Sequence, residues 1–208
     1  MTDAAQTAPV LDDAAELPAD ERILRATMTA LAQLDPSAVT IKQLCRTAGV
    51  TPPTLYYHYG SKDGLLAAAV ERLVDEWLTA IDGAINRDTT LEVTITQAVA
   101  AWTSAITSQS RPIAVFTWAT LLLADTSENA RAALIRARDR GVAMIAEAAA
   151  LHLPPGPLVG ALAGLVVDSV IASAVQYELD HDLPALRARL DALGITLAAV
   201  AGRAVPQS

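Results

Sequence analysis

Several residue types are scarce in this 208-residue chain, and each scarcity closes off a class of protein. A single cysteine, Cys45, has no partner for an internal disulfide and fits a reducing compartment, so the expected location is cytoplasmic. One phenylalanine and an aromatic share of 4% leave the core to Ala, Leu and Val, which dominate the 52% hydrophobic fraction. The three histidines are scattered without metal-ligand spacing, and no Gly-rich phosphate loop or serine elbow is present. The sequence therefore offers no catalytic residue, no metal site and no cofactor, and does not read as an enzyme. Residues 1–18 lack the basic and apolar regions of a signal peptide and read as a flexible, acidic, Ala- and Pro-rich tail. Strand-type alternation is missing throughout, whereas apolar residues recur at steps of three and four. The expected fold class is all-α.

Positive charge is also in short supply, but unevenly so. With 23 acidic against 15 basic residues the chain carries −8, which taken whole argues against a nucleic-acid partner. Between Arg22 and Lys62, however, five basic residues (Arg22, Arg25, Lys42, Arg46 and Lys62) meet one acid, Asp35, so this segment is +4 and the rest −12. A positive face on an acidic body suits phosphate binding with little indiscriminate sticking.

The same segment holds the most specific pattern in the chain, Thr40 to Lys62. Thr40 and Gln43 have the spacing of a capping box, with the threonine oxygen taking the Gln43 amide and the glutamine reaching back. Ile41, Leu44, Cys45 and Ala48 follow at helical spacing, which makes Cys45 a small inward filler rather than a redox sensor. Gly49 suits a left-handed helix end, Val50 turns inward, and Thr51-Pro52 has the form of a cap followed by a first helical residue. Two short helices joined by a tight turn make a helix-turn-helix. On the second helix Thr54, Tyr56, Tyr57 and His58 crowd little more than one turn. Tyr59 is expected to pack inward after Leu55. The others must face out, where phenol and imidazole suit phosphate oxygens and the rings suit sugar or a thymine methyl.

Residues 22–70 resemble the N-terminal domain of the TetR (tetracycline repressor) family of transcription regulators. The resemblance is carried by Ile41-x-x-Leu44-Cys45, Ala48-Gly49-Val50-Thr51, Pro53-Thr54-Leu55-Tyr56-Tyr57-His58-Tyr59 and Ser61-Lys62-x-x-Leu65-Leu66. It implies a homodimer that binds double-stranded DNA, with a large C-terminal domain that takes a small-molecule effector and so sets DNA affinity. The family's phosphate-contacting tyrosine and histidine match Tyr56 and His58, and its helix-capping lysine matches Lys62. Asp35-Pro36 replaces the usual glycine turn, Cys45 stands where alanine is common, and Gly60 replaces a frequent proline. Pro52 occupies a place that a polar base-contacting residue can hold, which moves base readout to Lys42, Thr54 and Tyr57. The DNA-binding candidates are thus Thr40, Lys42, Thr51, Thr54, Tyr56, Tyr57, His58 and Lys62.

The expected organisation is a tail over 1–18, a three-helix DNA-binding domain over 19–65, and a helical effector-binding and dimerisation domain over 66–208. A long helix joins the two domains. The first helix should span Ala19–Leu34, with Ile23, Ala26, Thr27, Ala30 and Leu34 inward, and Asp35-Pro36 ending it. Ser61 should cap the linking helix. Further helices are expected at Leu91–Ser108, Pro112–Ala124, Glu128–His152 (capped by Ser127), Leu158–Leu179 and Pro184–Val205. Within Pro157 to Val175 lie 19 mostly apolar residues, close to the ~20 of a membrane span. Asp168 near its middle and the lack of flanking Lys or Arg favour a buried interface helix over a membrane or carrier role. Gly160 and Gly164 would allow close helix approach. Candidate effector contacts are Trp77, Trp102, Phe116, Trp118, Met144, Asp168, Gln176 and Tyr177, against the plainer reading of an ordinary core. Asp168 could pair with a ligand cation, pair across a dimer, or face solvent. A constitutive DNA-binding protein without an effector stands as the alternative function.

Overall fold

The structure is a computed structural model that describes residues 17–34, 38–108, 112–126 and 128–204. Among them the chain forms helices α1 (Ala19–Gln33), α2 (Ile41–Ala48), α3 (Pro52–Tyr59), α4 (Lys62–Ala84), α5 (Leu91–Ile106), α6 (Pro112–Leu123), α7 (Glu128–Ala150), α8 (Pro157–Asp180) and α9 (Leu183–Ala204), and no strand. The expectations for residues 1–16, for Asp35-Pro36, for Ser127 as a cap and for Val205 lie outside the described residues.

Local chemistry accounts for most helix ends. Ser61 accepts the Gly64 amide at 2.9 Å and starts α4, with Asp63 in its first turn. Asp182 accepts the Ala185 amide at 2.9 Å and starts α9. Before it, His181 closes α8 in the left-handed region at φ 51. Asp180, bonded to the Asp182 amide and to Gln176, is held below the usual carboxylate range by those two hydrogen bonds. One expectation for α1 fails. Leu34 has already left the helix at φ −122, ψ 154 and is 38% exposed, so Leu31 completes the inner stripe with Ile23, Ala26, Thr27 and Ala30.

The long α4 joins the two parts of the molecule. It packs against α1 and α3 and also against α6 and α7, and the boundary expected at residues 65/66 falls inside it. One buried cluster runs from Ile23, Leu44 and Leu55 through Leu66 and Val70 to Phe116 and Leu134. A second joins α5, α8 and α9 around Trp102, Val166, Leu186 and Leu190. Helix α8 is not buried all round as its composition suggests. Val159, Ala163, Val166 and Val170 face the core, while Leu158, Leu165, Val175 and Leu179 are 48%, 57%, 37% and 76% exposed.

Candidate nucleic-acid interface

The helix-turn-helix closes by some of the devices its sequence announces, although among the described residues the Gln43 side chain makes no bond back to the Thr40 amide. Thr40 Oγ1 accepts the Gln43 amide at 3.3 Å. Gly49 sits at φ 64, ψ 39, and the Val50 amide donates to the Cys45 carbonyl at 3.0 Å, so the turn satisfies carbonyls that would otherwise end the helix unpaired. Thr51 occupies the cap position of α3, but its hydroxyl does not cap. It shares a hydrogen bond with the Thr54 hydroxyl at 3.0 Å. Pro52 and Pro53 fill the first two helical positions without amides, which leaves little for a cap to accept.

Only two residues pin α3 from its own length, Leu55, fully buried, and Tyr59, partly buried. The Tyr59 hydroxyl donates to the Asp20 carbonyl at 2.8 Å and so ties the end of α3 to the start of α1. Burial, reinforced by the Asp20 and Glu21 charges, pushes this phenol up to about 12. A second tie runs from Arg22, whose Nε donates to the Ala48 carbonyl at 3.0 Å at the end of α2. Cys45 is buried, and burial pushes its thiol up, which suits a filler and not a nucleophile.

The rest of α3 faces outward. Tyr57 is 86% exposed, Tyr56 45%, and His58 is exposed with its ring edge-on to Tyr57 at 5.2 Å. Lys42 and Arg46 project from α2, and Lys62 is the first residue of α4. Among the described residues these three cations form no ion pair. A lysine opening a helix works against the helix dipole, a local conflict of the kind found at binding sites. The outcome is a face with free cations, phenols and an imidazole and no carboxylate between Thr40 and Lys62. Of the eight DNA-binding candidates, Thr40 and Thr51 have hydroxyls engaged in local bonds, and Thr54 shares the bond of Thr51.

The arginines of α7 do not add a second basic patch. Arg131 pairs with Asp125, Arg136 with Glu71, Arg138 with Asp168, and Arg140 with Asp75. Asp168 therefore faces solvent and is neutralised within the protomer at 3.2 Å.

The candidate effector residues divide. Trp77, Trp102, Phe116 and Met144 line one cavity between α4, α5, α6, α7 and α8. Trp118 packs into the first core cluster instead, and Tyr177 packs on the second with its ring edge-on to His181 at 5.7 Å. Gln176 is exposed and bonded to Asp180 at 3.0 Å. The sequence missed Ile145, Val170 and Ile171, which also line the cavity, because nothing local distinguishes them from other core aliphatics.

Residues 23–69 match the family described as bacterial regulatory proteins, tetR family. No curated protein matches the chain. Its fold is similar to that of a transcriptional regulator from Rhodococcus sp. Rha1, with a TM-score of 0.68 at 17% identity over 86% of this chain and 95% of that one. It is similar to a tetR-family transcriptional regulator from Streptomyces coelicolor, with a TM-score of 0.68 at 14% identity over 89% and 82% of the two chains. The reduced form of Escherichia coli NemR gives a TM-score of 0.65 at 15% identity, covering 85% of this chain and 96% of the other. At such identities the likeness is one of fold. The match over residues 23–69 makes this segment a tetR-family helix-turn-helix domain, and the rest of the chain shares the fold of the regulators named above.

Proposed function

We propose that this chain is a cytoplasmic, homodimeric transcriptional repressor that binds an inverted-repeat operator and is released from it by a small-molecule effector. The observation that carries the DNA half is the α2–α3 face, with Lys42, Arg46 and Lys62 in no ion pair among the described residues and Tyr56, Tyr57 and His58 exposed beside them. Tyr56, His58 and Lys62 are assigned to phosphates, and Lys42, Thr54 and Tyr57 to base edges. In a dimer the two α3 helices would enter successive major grooves about 34–36 Å apart.

The dimer is supported by α8. Leu158, Ala161, Leu165, Asp168, Ala172, Val175 and Leu179 are all exposed and recur at alternating steps of three and four. That spacing makes a seam along one helix face, and an exposed apolar stripe of this length needs a cover. On α9, Ala188, Ala192, Ile195 and Ala199 repeat the pattern, so a four-helix seam of α8 and α9 from both subunits fits both stripes. A Cβ added at Gly164 would meet nothing within 4 Å, so Gly164→Glu should leave the protomer fold intact. We expect this variant to sediment as a monomer and to bind an inverted repeat weakly, while the natural protein sediments as a dimer at micromolar concentration. A monomeric natural protein refutes the proposal. Ligand-independent DNA binding under every effector tried would favour the constitutive alternative.

A further inference from the structure

Among the described residues, two largely apolar cavities of the body lie in a row. The first, of about 40 Å³, is the one bordered by Trp77 and Phe116. The second, of about 90 Å³, lies among Ile95, Leu162, Val166 and Leu197 of α5, α8 and α9. Trp102, Met144 and Ile145 border both. Along α7 the first cavity touches Ala137 to Ile145 and the second Met144 to Ala149, a run of about 18 Å at 1.5 Å per residue. Along α8 the order is reversed and equally continuous, from Ile171 to Val167 and then from Val166 to Leu162. Neither space alone, nor the two together at about 130 Å³, reaches the roughly 300 Å³ of a small ligand site, so a guest must widen the space as well as join its two parts.

The lining also limits what could enter. Its charged residues are Arg138 in the first cavity and Asp82 in the second, and each already has a partner, Asp168 and Arg87 respectively. A charged ligand would find no free counter-charge, and burying it would be unfavourable. Thr94 in the second cavity is engaged with His152 Nε2 at 3.3 Å. Trp77 Nε1 is different, a buried donor without an acceptor among the described residues. Of the three shared residues Met144 is the one that can yield, because its unbranched side chain has three rotatable bonds, whereas Trp102 is rigid and packed at 5% exposure.

We propose that the two cavities are the ends of one effector channel, closed in the free protein at Met144, and that the channel takes an elongated, uncharged, largely apolar molecule carrying one hydrogen-bond acceptor for Trp77. This rests on the effector half of the function proposed above. The acceptor removes the mismatch at Trp77, and the apolar body displaces Met144 to join the two spaces.

The test uses full-length protein and two fluorescent probes. Prodan (6-propionyl-2-dimethylaminonaphthalene) is neutral and carries one ketone, and 8-anilinonaphthalene-1-sulfonate is similar in ring size but anionic. Prodan should bind with blue-shifted emission, and the sulfonate about tenfold or more weakly. Met144→Trp, which fills the junction, should abolish Prodan binding. Met144→Leu, close in volume but branched, should weaken it several-fold with an unchanged melting temperature, which guards against misfolding of the bulkier variant. Trp77→Phe should weaken Prodan but not its ketone-free analogue 2-dimethylaminonaphthalene. Equal or tighter sulfonate binding, or Prodan affinity indifferent to both Met144 variants, overturns the channel. DNA release is read separately on a labelled inverted-repeat operator selected by the protein. Prodan held at Met144 while DNA stays bound would support the channel and sink the effector reading. Release by some other small molecule, unaltered in Met144→Trp, would sink the channel and leave the effector reading standing.

Discussion

In the headpiece of α1–α3, side chains fasten backbone across long sequence separations, as Arg22 does to the Ala48 carbonyl and Tyr59 to the Asp20 carbonyl. In the body of α5–α9 the helices meet through aliphatic and small residues such as Ala98, Ala163, Val166 and Leu190, with long-range polar ties largely at the surface. The headpiece presents a fixed polar face, whereas the body leaves two apolar cavities and an uncovered stripe on α8. Fixed geometry suits reading a groove of constant shape. Loosely filled apolar space suits admitting a guest.

Glycine substitutions should expose this contrast most strongly. A Cβ at Gly64 would lie 2.4 Å from the Tyr59 carbonyl oxygen, where backbone must move, so Gly64→Ala would push α3 off α4. We expect a loss of about 2–4 kcal/mol in chemical denaturation, together with loss of operator binding. Near the other end of the same helix a Cβ at Gly83 meets nothing within 4 Å, and Gly83→Ala should be neutral or stabilising by up to about 1 kcal/mol. Equal effects at the two sites would erase the distinction between a fixed elbow and a tolerant body.

Within the headpiece the next largest effects separate base readout from phosphate contact. Lys42→Ala should cost about 1–3 kcal/mol on the best site and relax preference at one position in each half-site. Lys62→Ala should weaken all sequences alike and lower the log–log salt slope by roughly one per contact removed. Binding titrations over a salt series on matched and single-mismatch sites distinguish them. A change of sequence preference from Lys62→Ala, with only a uniform loss from Lys42→Ala, reverses the assignment of the two faces.

The contrast also explains what the sequence made legible. Thr40, Gly49 and Ser61 act over three or four residues and appear where local pattern puts them, and the helix boundaries fall within two residues of it. Tyr59 turned inward for the same reason, by its spacing from Leu55. The capping role of Thr51 was misread because Thr54 offered its hydroxyl a competing partner. Cavity residues were harder, since lining depends on which faces of five helices converge. Trp77 and Trp118 both pack on the first cluster, yet Trp77 reaches the space and Trp118 does not, and nothing within a few residues of Trp118 marks that difference. The pairs made by Arg136 and Arg140 were equally invisible, because their partners Glu71 and Asp75 lie 65 residues away.

A smaller effect follows from the phenol of Tyr59. Its value of about 12 lies above the ordinary 10, so the folded headpiece holds the proton more tightly than the unfolded chain does. Stability from this source is complete below about pH 10 and is lost as pH rises toward 12. Discounted for the partial solvent access of the ring, the loss is on the order of 1 kcal/mol. Tyr59→Phe, already lacking the proton, should be somewhat less stable at pH 8 and should not share this alkaline decline. A parallel decline in the variant would assign the effect to other groups.

The smallest effect expected is at the junction of headpiece and body. Arg136 grips both Glu71 oxygens, Nε to Oε1 at 2.8 Å and the second nitrogen to Oε2 at 2.9 Å, and one turn further on Arg140 pairs with Asp75. These bridges fasten α7 to α4, which in the function proposed above would make them candidates for a hinge between body and headpiece. Their setting argues that they contribute little to stability, because the arginine side chains are 59% and 47% exposed and surface pairs of this kind are screened by salt. The double variant Arg136→Gln, Arg140→Gln should therefore melt close to the natural protein at physiological salt, with a difference that grows only at low ionic strength. Operator affinity without effector is the more sensitive readout, since a looser α4–α7 contact lets the two headpieces of a dimer drift from groove spacing without unfolding anything. A large loss of stability that persists in high salt would show that these pairs belong to the core of the fold. The junction would then be as rigid as the headpiece itself.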